Sequence, residues 1–447
     1  MFKIAFRNVL RNGRRSLMTA SAVAVGAAAL ILFGQYYGMV KAGMSTGVIQ
    51  SMGHLSVFKQ GYTAFGSGRP LDYSISNYDE VIRLIENDPV LKPMLNVVTP
   101  SVSVYGIAGS AALDKSKTFF GSGFIPSDRD KMHRWDEFNL YQGDGYGTTG
   151  MRDGDLDHGF VGKGMARMLG LCKALKLKNC PVETSSGDNF LTDHPAAAGE
   201  KAPRLDLLAS AGGAPNIVAF YVNEAKGMGA KELDDNFVGM NLPLAQQLLF
   251  GAGERKVSSI VIQLKRTEDI EPVRARLGTL FKEHKLDMEV RDFQQLMPII
   301  VQTLAFFQVL FGFLALILSI IVLFTVANTM SMSVMERTNE IGTARAMGVR
   351  RGAVRRQFLL EGAILGTIGA TAGIALAALL AYWINHSGIT YVPPGDSTEI
   401  PLSVLTSGTE GMQFTIWLAL AVMASLATII PANRAARMKV VDALRHI

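Results

Sequence analysis

The sequence has few of the residue types that build catalytic and metal centres. Its 447 residues include 2 cysteines and 7 histidines, and the histidines form no pair at ligand spacing. The chain also lacks the patterns G-x-x-x-x-G-K-[ST] and G-x-S-x-G, so we expect neither an ATP-hydrolysing P-loop nor a hydrolase nucleophile. Asp153, Asp155 and Asp157 are spaced like the first ligands of a calcium-binding loop. His158 and Gly164, however, occupy the positions at which such a loop has Gly and Glu. We therefore expect no catalytic residue and no metal or cofactor in this chain.

Long apolar runs, in contrast, are abundant. A helix needs about 20 apolar residues to cross about 30 Å of hydrocarbon. The runs that reach or approach this length are Leu17–Met39, Ile299–Met332, Ala363–Ile384 and Phe414–Ile430. The first run is longer than the roughly 7–15 apolar residues of a signal peptide, so we interpret it as an uncleaved span, with cleavage as the alternative.

Basic residues predict the orientation of these spans. Of the 44 Lys and Arg, 15 lie in residues 1–16, in the segment between the second and third runs, and in the C-terminal tail. Residues 41–298 instead carry 29 Lys and Arg against 31 Asp and Glu, and the loop 385–413 has no Lys or Arg. Because positively charged loops stay in the cytoplasm, both termini and the central segment are predicted to be cytoplasmic. The pI of 9.2 therefore reflects topology, and no nucleic-acid partner is expected.

The predicted fold is an α-helical membrane protein with four transmembrane helices and a large mixed α+β extracytoplasmic domain between helices 1 and 2. In that domain, apolar periodicity predicts helices at Tyr78–Glu86 and Glu271–His284, strands at Asn96–Ile107 and Val257–Leu264, and loops around short strands at 108–160. In chain order the predicted segments are 1–16 (cytoplasmic amphipathic helix), 17–39 (first span), 40–298 (outer domain), 299–332 (second span and stalk), 333–360 (cytoplasmic charged segment), 361–384 (third span), 385–413 (outer loop), 414–430 (fourth span) and 431–447 (cytoplasmic tail).

The stretch Ser331–Gly362, SMSVMERTNEIGTARAMGVRRGAVRRQFLLEG, is dense in charge and lies between two apolar runs. Its pattern predicts a helix at Met332–Arg345, a break near Gly348 and a second helix that enters the third span. Glu336 and Glu340 are four residues apart and share one helical face. Two interpretations follow: a docking surface for a cytoplasmic partner, or a solvated loop held inside by its positive charge.

Three stretches of the sequence resemble one family. ERTNEIGTARAMGVRR followed by FLLEG resembles the cytoplasmic coupling segment of FtsX-, MacB- and LolC/LolE-like ABC transporter permeases. The closing PANRAARMKVVDALRHI resembles their C-terminal signature, although Val441 and Asp442 stand where members often have Pro and Glu, and GHLSVFKQGY resembles the region after their first span. The resemblance implies a MacB-type periplasmic core in the outer domain. It also implies that the ATPase-coupling residues are Glu336, Arg337, Glu340, Gly342, Arg345 and Gly348.

The resemblance further implies a non-catalytic permease subunit in the inner membrane. Its partners would be a cytoplasmic ABC ATPase dimer of the MacB, LolD or FtsE type, which binds ATP and Mg, and a second permease copy or homologue. A periplasmic adaptor or chaperone and membrane lipids are further expected partners. By mechanotransmission, ATP hydrolysis would move lipoprotein, lipid or other hydrophobic cargo from the outer side of the membrane. The alternatives are FtsX-like signalling to periplasmic partners without cargo, and a membrane-anchored enzyme or receptor without an ATPase.

The second apolar run has a surplus of length. Ile299–Met332 has 34 residues, or about 51 Å of helix, which is roughly 20 Å more than the hydrocarbon requires. We expect its outer end to stand in water as a stalk, where Phe307, Leu310 and Phe311 would contact a second copy or an acyl chain. The alternative is a tilted span packed only on its neighbours.

Two polar residues at membrane depth, Asn328 and Glu361, are functional candidates because such residues are costly there. We expect Glu361 to be solvated or paired with Arg355 or Arg356.

The two cysteines, Cys172 and Cys180, are eight residues apart in the predicted outer domain. An oxidising compartment favours a disulfide between them. The alternative is a pair of small buried thiols.

Overall fold

The computed structural model describes residues 2–438, apart from residues 12, 67, 111–113, 139, 141–146, 178–179, 183–189, 193–201, 212–213 and 393–398. The chain divides into two compact units. The helical unit comprises residues 1–41, 302–390 and 401–447, and the α/β unit comprises residues 42–301 and 391–400.

Numbered in chain order, the helices are α1 (Phe2–Arg11), α2 (Gly13–Met52), α3 (Tyr78–Asn87), α4 (Pro126–His133), α5 (Lys163–Met168), α6 (Lys231–Asn236), α7 (Leu242–Phe250), α8 (Ile270–Glu283), α9 (Phe293–Leu296), α10 (Pro298–Glu336), α11 (Thr338–Ala346), α12 (Arg351–His386), α13 (Glu410–Ala427) and α14 (Ile429–Arg437). The strands are β1 (Leu55–Lys59), β2 (Leu95–Ser110), β3 (Lys115–Phe124), β4 (His158–Gly162), β5 (Cys180–Val182), β6 (Phe190–Thr192), β7 (Arg204–Ala209), β8 (Asn216–Lys226), β9 (Phe237–Asn241), β10 (Ser259–Leu264), β11 (Met288–Asp292), β12 (Thr390–Tyr391) and β13 (Ile400–Pro401).

Four apolar helices in the described chain are long enough to cross a membrane: α2, α10, α12, and α13 together with α14. One of them is N-terminal and three are C-terminal, and a mixed α/β domain lies between the first and the second in the chain. The predicted fold class is therefore confirmed. The helices also run past the predicted ends of the apolar runs, since α2 has 40 residues and α10 has 39.

Glycines on α12 decide how closely the helices of the helical unit approach each other. A Cβ added to Gly366 would lie 2.5 Å from the Cβ of Ala424 on α13. A Cβ added to Gly373 would lie 2.8 Å from the carbonyl oxygen of Ala24 on α2. Both distances are shorter than real contacts, so glycine is required where the backbones approach this closely.

The α/β unit contains a closed barrel. Six strands follow the order β2–β3–β9–β4–β8–β7, and β7 pairs back to β2. The pairs β3–β9 and β4–β8 are parallel. Strand β2 also belongs to an open sheet, β11–β1–β10–β2, because Leu95–Ser101 pairs with β10 while Val102–Ser110 pairs with β3. One long strand thus joins the barrel to the sheet.

Helices cover both faces of the open sheet. Val98 of β2 belongs to the main core together with Val81 of α3 and Leu277 of α8. Val97, its neighbour, groups instead with Met132 of α4. Because successive strand residues point to opposite faces, α4 lies on the face opposite to α3 and α8.

The predicted helices at Tyr78–Glu86 and Glu271–His284 correspond to α3 and α8, and the predicted strands correspond to β2 and β10. Two predictions are wrong. Residues 108–160 contain β3, a ten-residue strand with weak strand pattern that pairs with β2 over nine residues, and they also contain α4. The predicted helix Met332–Arg345 is interrupted, since α10 ends at Glu336 and α11 begins at Thr338. The residue between them, Arg337, turns its side chain inward to a buried partner.

Candidate functional site

The candidate functional site is the end of the helical unit where α11 is followed by α12. The amide of Gly348 donates to the carbonyl oxygen of Arg345, and the amide of Val349 donates to that of Ala344, both at 3.1 Å. Gly348 has a φ of +96°, a conformation that residues with a side chain rarely adopt. This glycine motif ends α11 where the sequence predicts a helix break.

The turn after α11 presents an apolar and basic tip, which we define as Met347–Arg351. Met347 is 76% exposed and Val349 is 40% exposed, although both side chains are apolar. Arg350 and Arg351 are exposed beside them. An exposed apolar group rimmed by charge is typical of a surface that binds another protein.

A buried carboxylate lies behind this segment. Arg337 Nη1 is 3.1 Å from both carboxylate oxygens of Glu361 on α12. Asn8 Nδ2 of α1 is 2.7 Å from Glu361 Oε1, and Gln357 Nε2 is 3.3 Å from the same oxygen. The Arg337 guanidinium also lies over the ring of Phe358, 5.6 Å from its centroid. Because an unpaired charge is very costly in such a place, these contacts hold the surrounding helices together.

The prediction that Glu361 is solvated or pairs with Arg355 or Arg356 is wrong. Glu361 is 3% exposed and pairs with Arg337, whereas Arg355 and Arg356 are exposed. The reason is helical geometry. Residues three or four apart share a helical face, so Gln357 lies beside Glu361 whereas Arg355 and Arg356, six and five residues away, do not.

Two more exposed ion pairs join this segment to the N-terminal helices. Arg11 Nη2 of α1 lies 2.7 Å and 2.9 Å from the two carboxylate oxygens of Glu340 on α11. Glu340 also lies 3.4 Å from Arg337 Nε. Arg15 of α2 pairs with Glu336 at the end of α10. The two predicted coupling carboxylates are therefore both engaged within the chain, although each stays exposed.

The remaining predicted coupling residues are more enclosed. Arg345 is half-buried and donates to the carbonyl oxygen of Ala436 on α14, and Gly342 is buried. Sequence reasoning missed Asn8 and Arg11, which lie 353 and 329 residues from their partners. The only signal in the sequence was the amphipathic, basic pattern of the first residues.

The predicted stalk residues have different surroundings. The ring of Phe311 stacks on Phe33 of α2 with a centroid distance of 5.7 Å. Leu310 is 39% exposed, Phe307 is half-buried, and Asn328 is exposed on the same helix. The structure thus brings Phe311 against α2 and leaves Leu310 and Asn328 at the surface.

An apolar pocket of about 320 Å³ is present in the helical unit. Its volume is at the lower end of the range for small-molecule sites. It is lined by Ala29, Leu32, Phe33, Tyr36, Leu314, Ile384, Leu402 and Val404.

Two further candidates from the sequence lie in the α/β unit. Cys172 is buried, and the side chain of Cys180 lies outside the described ones, so the disulfide stays a prediction. In the acidic loop, Asn241 Nδ2 donates to the carbonyl oxygens of Asp153 and Asp155 at 3.0 and 3.3 Å. Within the described part of the chain, no three His, Cys, Asp or Glu side chains are placed to hold a metal ion.

The chain resembles a known family and several known proteins over parts of its length. Residues 297–440 match the family described as FtsX-like permease C-terminal. The chain is 28% identical over 241 residues to the macrolide export ATP-binding/permease protein MacB of Chlorobium luteolum, and 27% over 263 residues to that of Hyphomonas neptunium. It is 30% identical over 194 residues to the MacB protein of Neisseria meningitidis. These alignments cover 52%, 58% and 43% of this chain, but only 33%, 37% and 28% of the relatives.

The chain thus spans about a third of the length of the curated relatives it matches. The matched residues 297–440 contain α10, α11, α12 and the tip. With its four long apolar helices, the chain is a multi-pass membrane protein with an extramembrane domain between the first and second spans. Its residues 297–440 are an FtsX-like permease C-terminal domain, and the chain is a distant homologue of MacB proteins of the ABC permease family.

Proposed function

We propose that the chain is the permease subunit of an FtsX/MacB-type ABC transporter and is driven by a separate cytoplasmic ATPase. The observation that carries this proposal is the exposed tip, Met347–Arg351, inside the family-matched residues. The Gly348 turn fixes the conformation of the tip. The tip is continuous with α12, a candidate span, so a force that a partner applies to the tip is transmitted into the membrane. The names of the MacB relatives join ATP-binding to permease, which supports an ATPase partner for a chain without a nucleotide-binding motif.

The ATPase would bind as a dimer beneath two permease chains, either two copies or one copy and a homologue. It would hold ATP and Mg, so this chain needs no cofactor of its own. The apolar tip residues Met347 and Val349 would enter a groove on the ATPase, with Arg350 and Arg351 at the rim. The carboxylates of Glu336 and Glu340 and the guanidinium of Arg345 would flank this contact.

Co-expression with a separate ABC ATPase from the same genome, followed by co-purification and an ATPase assay, tests the contact. Val349→Asp places a charge in the apolar tip and is expected to lower stimulated ATPase activity at least about tenfold. The matched control is Val90→Asp, since Val90 is 51% exposed in the α/β unit. Undiminished stimulation in Val349→Asp would refute the tip as the contact. Glu340→Lys is likewise expected to lower activity while membrane insertion stays intact.

The orientation that this function needs has support at both ends of the helices. Arg350, Arg351 and the N-terminal arginines lie at the end of the helical unit that carries the tip. Tyr382 and Trp383, near the other end of α12, are 66% and 62% exposed, as aromatic residues at a membrane surface are. We infer that the basic end is cytoplasmic, that the membrane is the inner membrane, and that the α/β unit is periplasmic.

The cargo that fits the helical unit best is hydrophobic, such as a lipoprotein or a lipid. The face of α10 that carries Phe306, Val309 and Phe313 is 62–70% exposed at these residues. The open apolar pocket lined by Phe33 and Leu314 adds further apolar surface for an acyl chain. A second permease copy could cover the same face, and a periplasmic adaptor or chaperone would receive the cargo.

Site-specific crosslinking tests this role of α10. Cysteines placed along residues 299–311 of an active complex are expected to link to the second copy or to capture lipid. Polar substitution of Phe307 and Leu310 is expected to impair transport while ATP binding survives. If no position links and both variants transport normally, α10 is only a packed span.

FtsX-like signalling is the second candidate function, because the family match over residues 297–440 is to FtsX-like permeases and names no cargo. Purification from the native membrane separates the two functions. Bound lipid or lipoprotein supports transport, whereas a periplasmic hydrolase bound without cargo supports signalling.

A further inference from the structure

The N-terminal helix α1 lies against the coupling segment through more than its apolar residues. Ala5 and Val9 are buried in the same core as Val354 and Phe358 of α12. On the same helix, Asn8 binds the carboxylate of Glu361. Helix α1 is therefore part of the packed structure around the candidate site, and its first described turns are anchored by both apolar burial and a hydrogen bond.

The polar contacts of α1 form a closed circuit. Arg11 of α1 binds Glu340, Glu340 contacts Arg337, Arg337 binds Glu361, and Glu361 accepts a hydrogen bond from Asn8, which is again on α1. The circuit passes through α11 and α12 and returns to its starting helix. A movement of α11 away from α1 therefore breaks the contact between Arg11 and Glu340. The same movement strains the contacts of Arg337 with Glu340 and Glu361.

We propose that α1 positions the ATPase-binding tip, and that Asn8 and Arg11 are positioning residues for coupling. This inference rests on the proposed function. In it, Glu340 acts by holding α11 against α1, and the direct contact with the ATPase is made by the tip. Two facts favour this assignment: both oxygens of the Glu340 carboxylate are within 2.9 Å of Arg11, whereas Met347 is 76% exposed.

A charge exchange separates positioning from direct contact. Arg11→Glu and Glu340→Arg are each expected to lower ATPase stimulation about fivefold, and the double variant is expected to return within about twofold of wild type. Arg14→Glu is the matched control, because Arg14 is exposed nearby and no ion pair of its side chain occurs among the described residues. If the double variant is as impaired as Glu340→Arg alone, Glu340 contacts the ATPase directly and the inference fails. Wild-type activity in Arg11→Glu also overturns it.

The buried half of the circuit offers an independent exchange. Asn8→Asp puts a second carboxylate against Glu361 and is expected to release α1, since like charges at this distance repel strongly. Adding Glu361→Gln to this variant again pairs one amide with one carboxylate, but the carboxylate now lies on α1 and the amide on α12. Recovery of coupling in this double variant supports positioning through α1, and its absence contradicts it.

Trypsin cleavage after Arg345 in the purified full-length chain tests the same contacts in the absence of an ATPase. Arg345 is half-buried on α11, so cleavage there reports release of the helix. Cleavage is expected to be about fivefold faster in Arg11→Glu and unchanged in the charge-exchanged variant and in Arg14→Glu. If the wild-type chain stimulates no ATPase but the variants show these cleavage rates, the proposed function fails while the contact of α1 with α11 stands. If the exchange restores no protection, the inference itself fails.

Discussion

The two units of the molecule each bury a carboxylate, but the surroundings differ. In the α/β unit, Asp88 accepts from the amides of Val90 and Leu91 at 3.0 Å and from Arg276 at 2.7 Å. The hydrogen bond from Arg276 holds the pKa of Asp88 below its usual value. In the helical unit, the described partners of Glu361 are side chains only, and one of them is 353 residues away. A buried charge thus caps a local turn and ties it to α8 in the α/β unit, whereas in the helical unit its contacts only join side chains of separate helices and of the turn between them.

Removing each carboxylate is the strongest test of this comparison. Glu361→Ala leaves Arg337 buried without a partner and is expected to destabilise the helical unit by about 3–5 kcal/mol. Asp88→Ala is expected to loosen only the α/β unit. Hydrogen exchange of the full-length chain in detergent, resolved by unit, measures both. The double variant Arg337→Met/Glu361→Leu should recover most of the loss; if it does not, the pair has a role beyond neutralising a buried charge.

The glycines of α12 test a second difference, because helix contacts in the helical unit depend on backbone approach. Gly373→Val forces side-chain atoms against Ala24 and Ala27 and is expected to cost about 3 kcal/mol, seen as a lower thermal midpoint and less folded protein. Gly312→Val is the control, since a Cβ at Gly312 has no atom within 4 Å. Equal stability of the two variants would show that α12 shifts to accommodate the larger side chain.

The predicted Cys172–Cys180 disulfide would stabilise the α/β unit alone. Cys172→Ser/Cys180→Ser is expected to cost about 2 kcal/mol, because the closed loop is short. Mass spectrometry of unreduced peptides tests the bond directly, and free thiols at both positions in periplasm-exposed protein would contradict it. The helical unit should be unaffected in the same sample.

One buried and one partly buried histidine make the α/β unit sensitive to acid. Burial lowers the pKa of His54 to about 3 and that of His133 to about 4, and His54 Nδ1 accepts a hydrogen bond from the amide of Leu264 that requires the neutral ring. The unfolded chain takes up these protons near pH 6.5, so the stabilisation is complete above that pH and is lost as the pH falls towards the folded pKa values.

Between pH 6 and pH 5, each histidine is therefore expected to destabilise the α/β unit by about 1 kcal/mol. Thermal unfolding of the full-length chain at both pH values, compared with His133→Gln, measures the effect. The variant should lose about half of the pH dependence. A wild-type slope in His133→Gln would show that other groups titrate.

Several features could be predicted from the sequence because their signals are local. The apolar run Leu17–Met39 predicted a span that is present within α2, and Gly348 predicted the end of α11. The wrong helix at Met332–Arg345 shows the limit of local signals. Nothing in the neighbouring residues favours a break at Arg337, which is explained by its buried partner Glu361. β3 was missed for the same reason, since its partners β2 and β9 hold a weak strand pattern in place.

The sequence by itself determined the four spans, the charge asymmetry of the helix ends and the glycine turn, because hydrophobic length, charge and backbone freedom act over a few residues. Only the tertiary structure decided that Asn8 binds Glu361, that Arg11 binds Glu340, and that β7 closes the barrel on β2. These contacts join residues far apart in the chain. Their energies depend on burial and on distances of about 3 Å, which exist only after the helices and strands have packed.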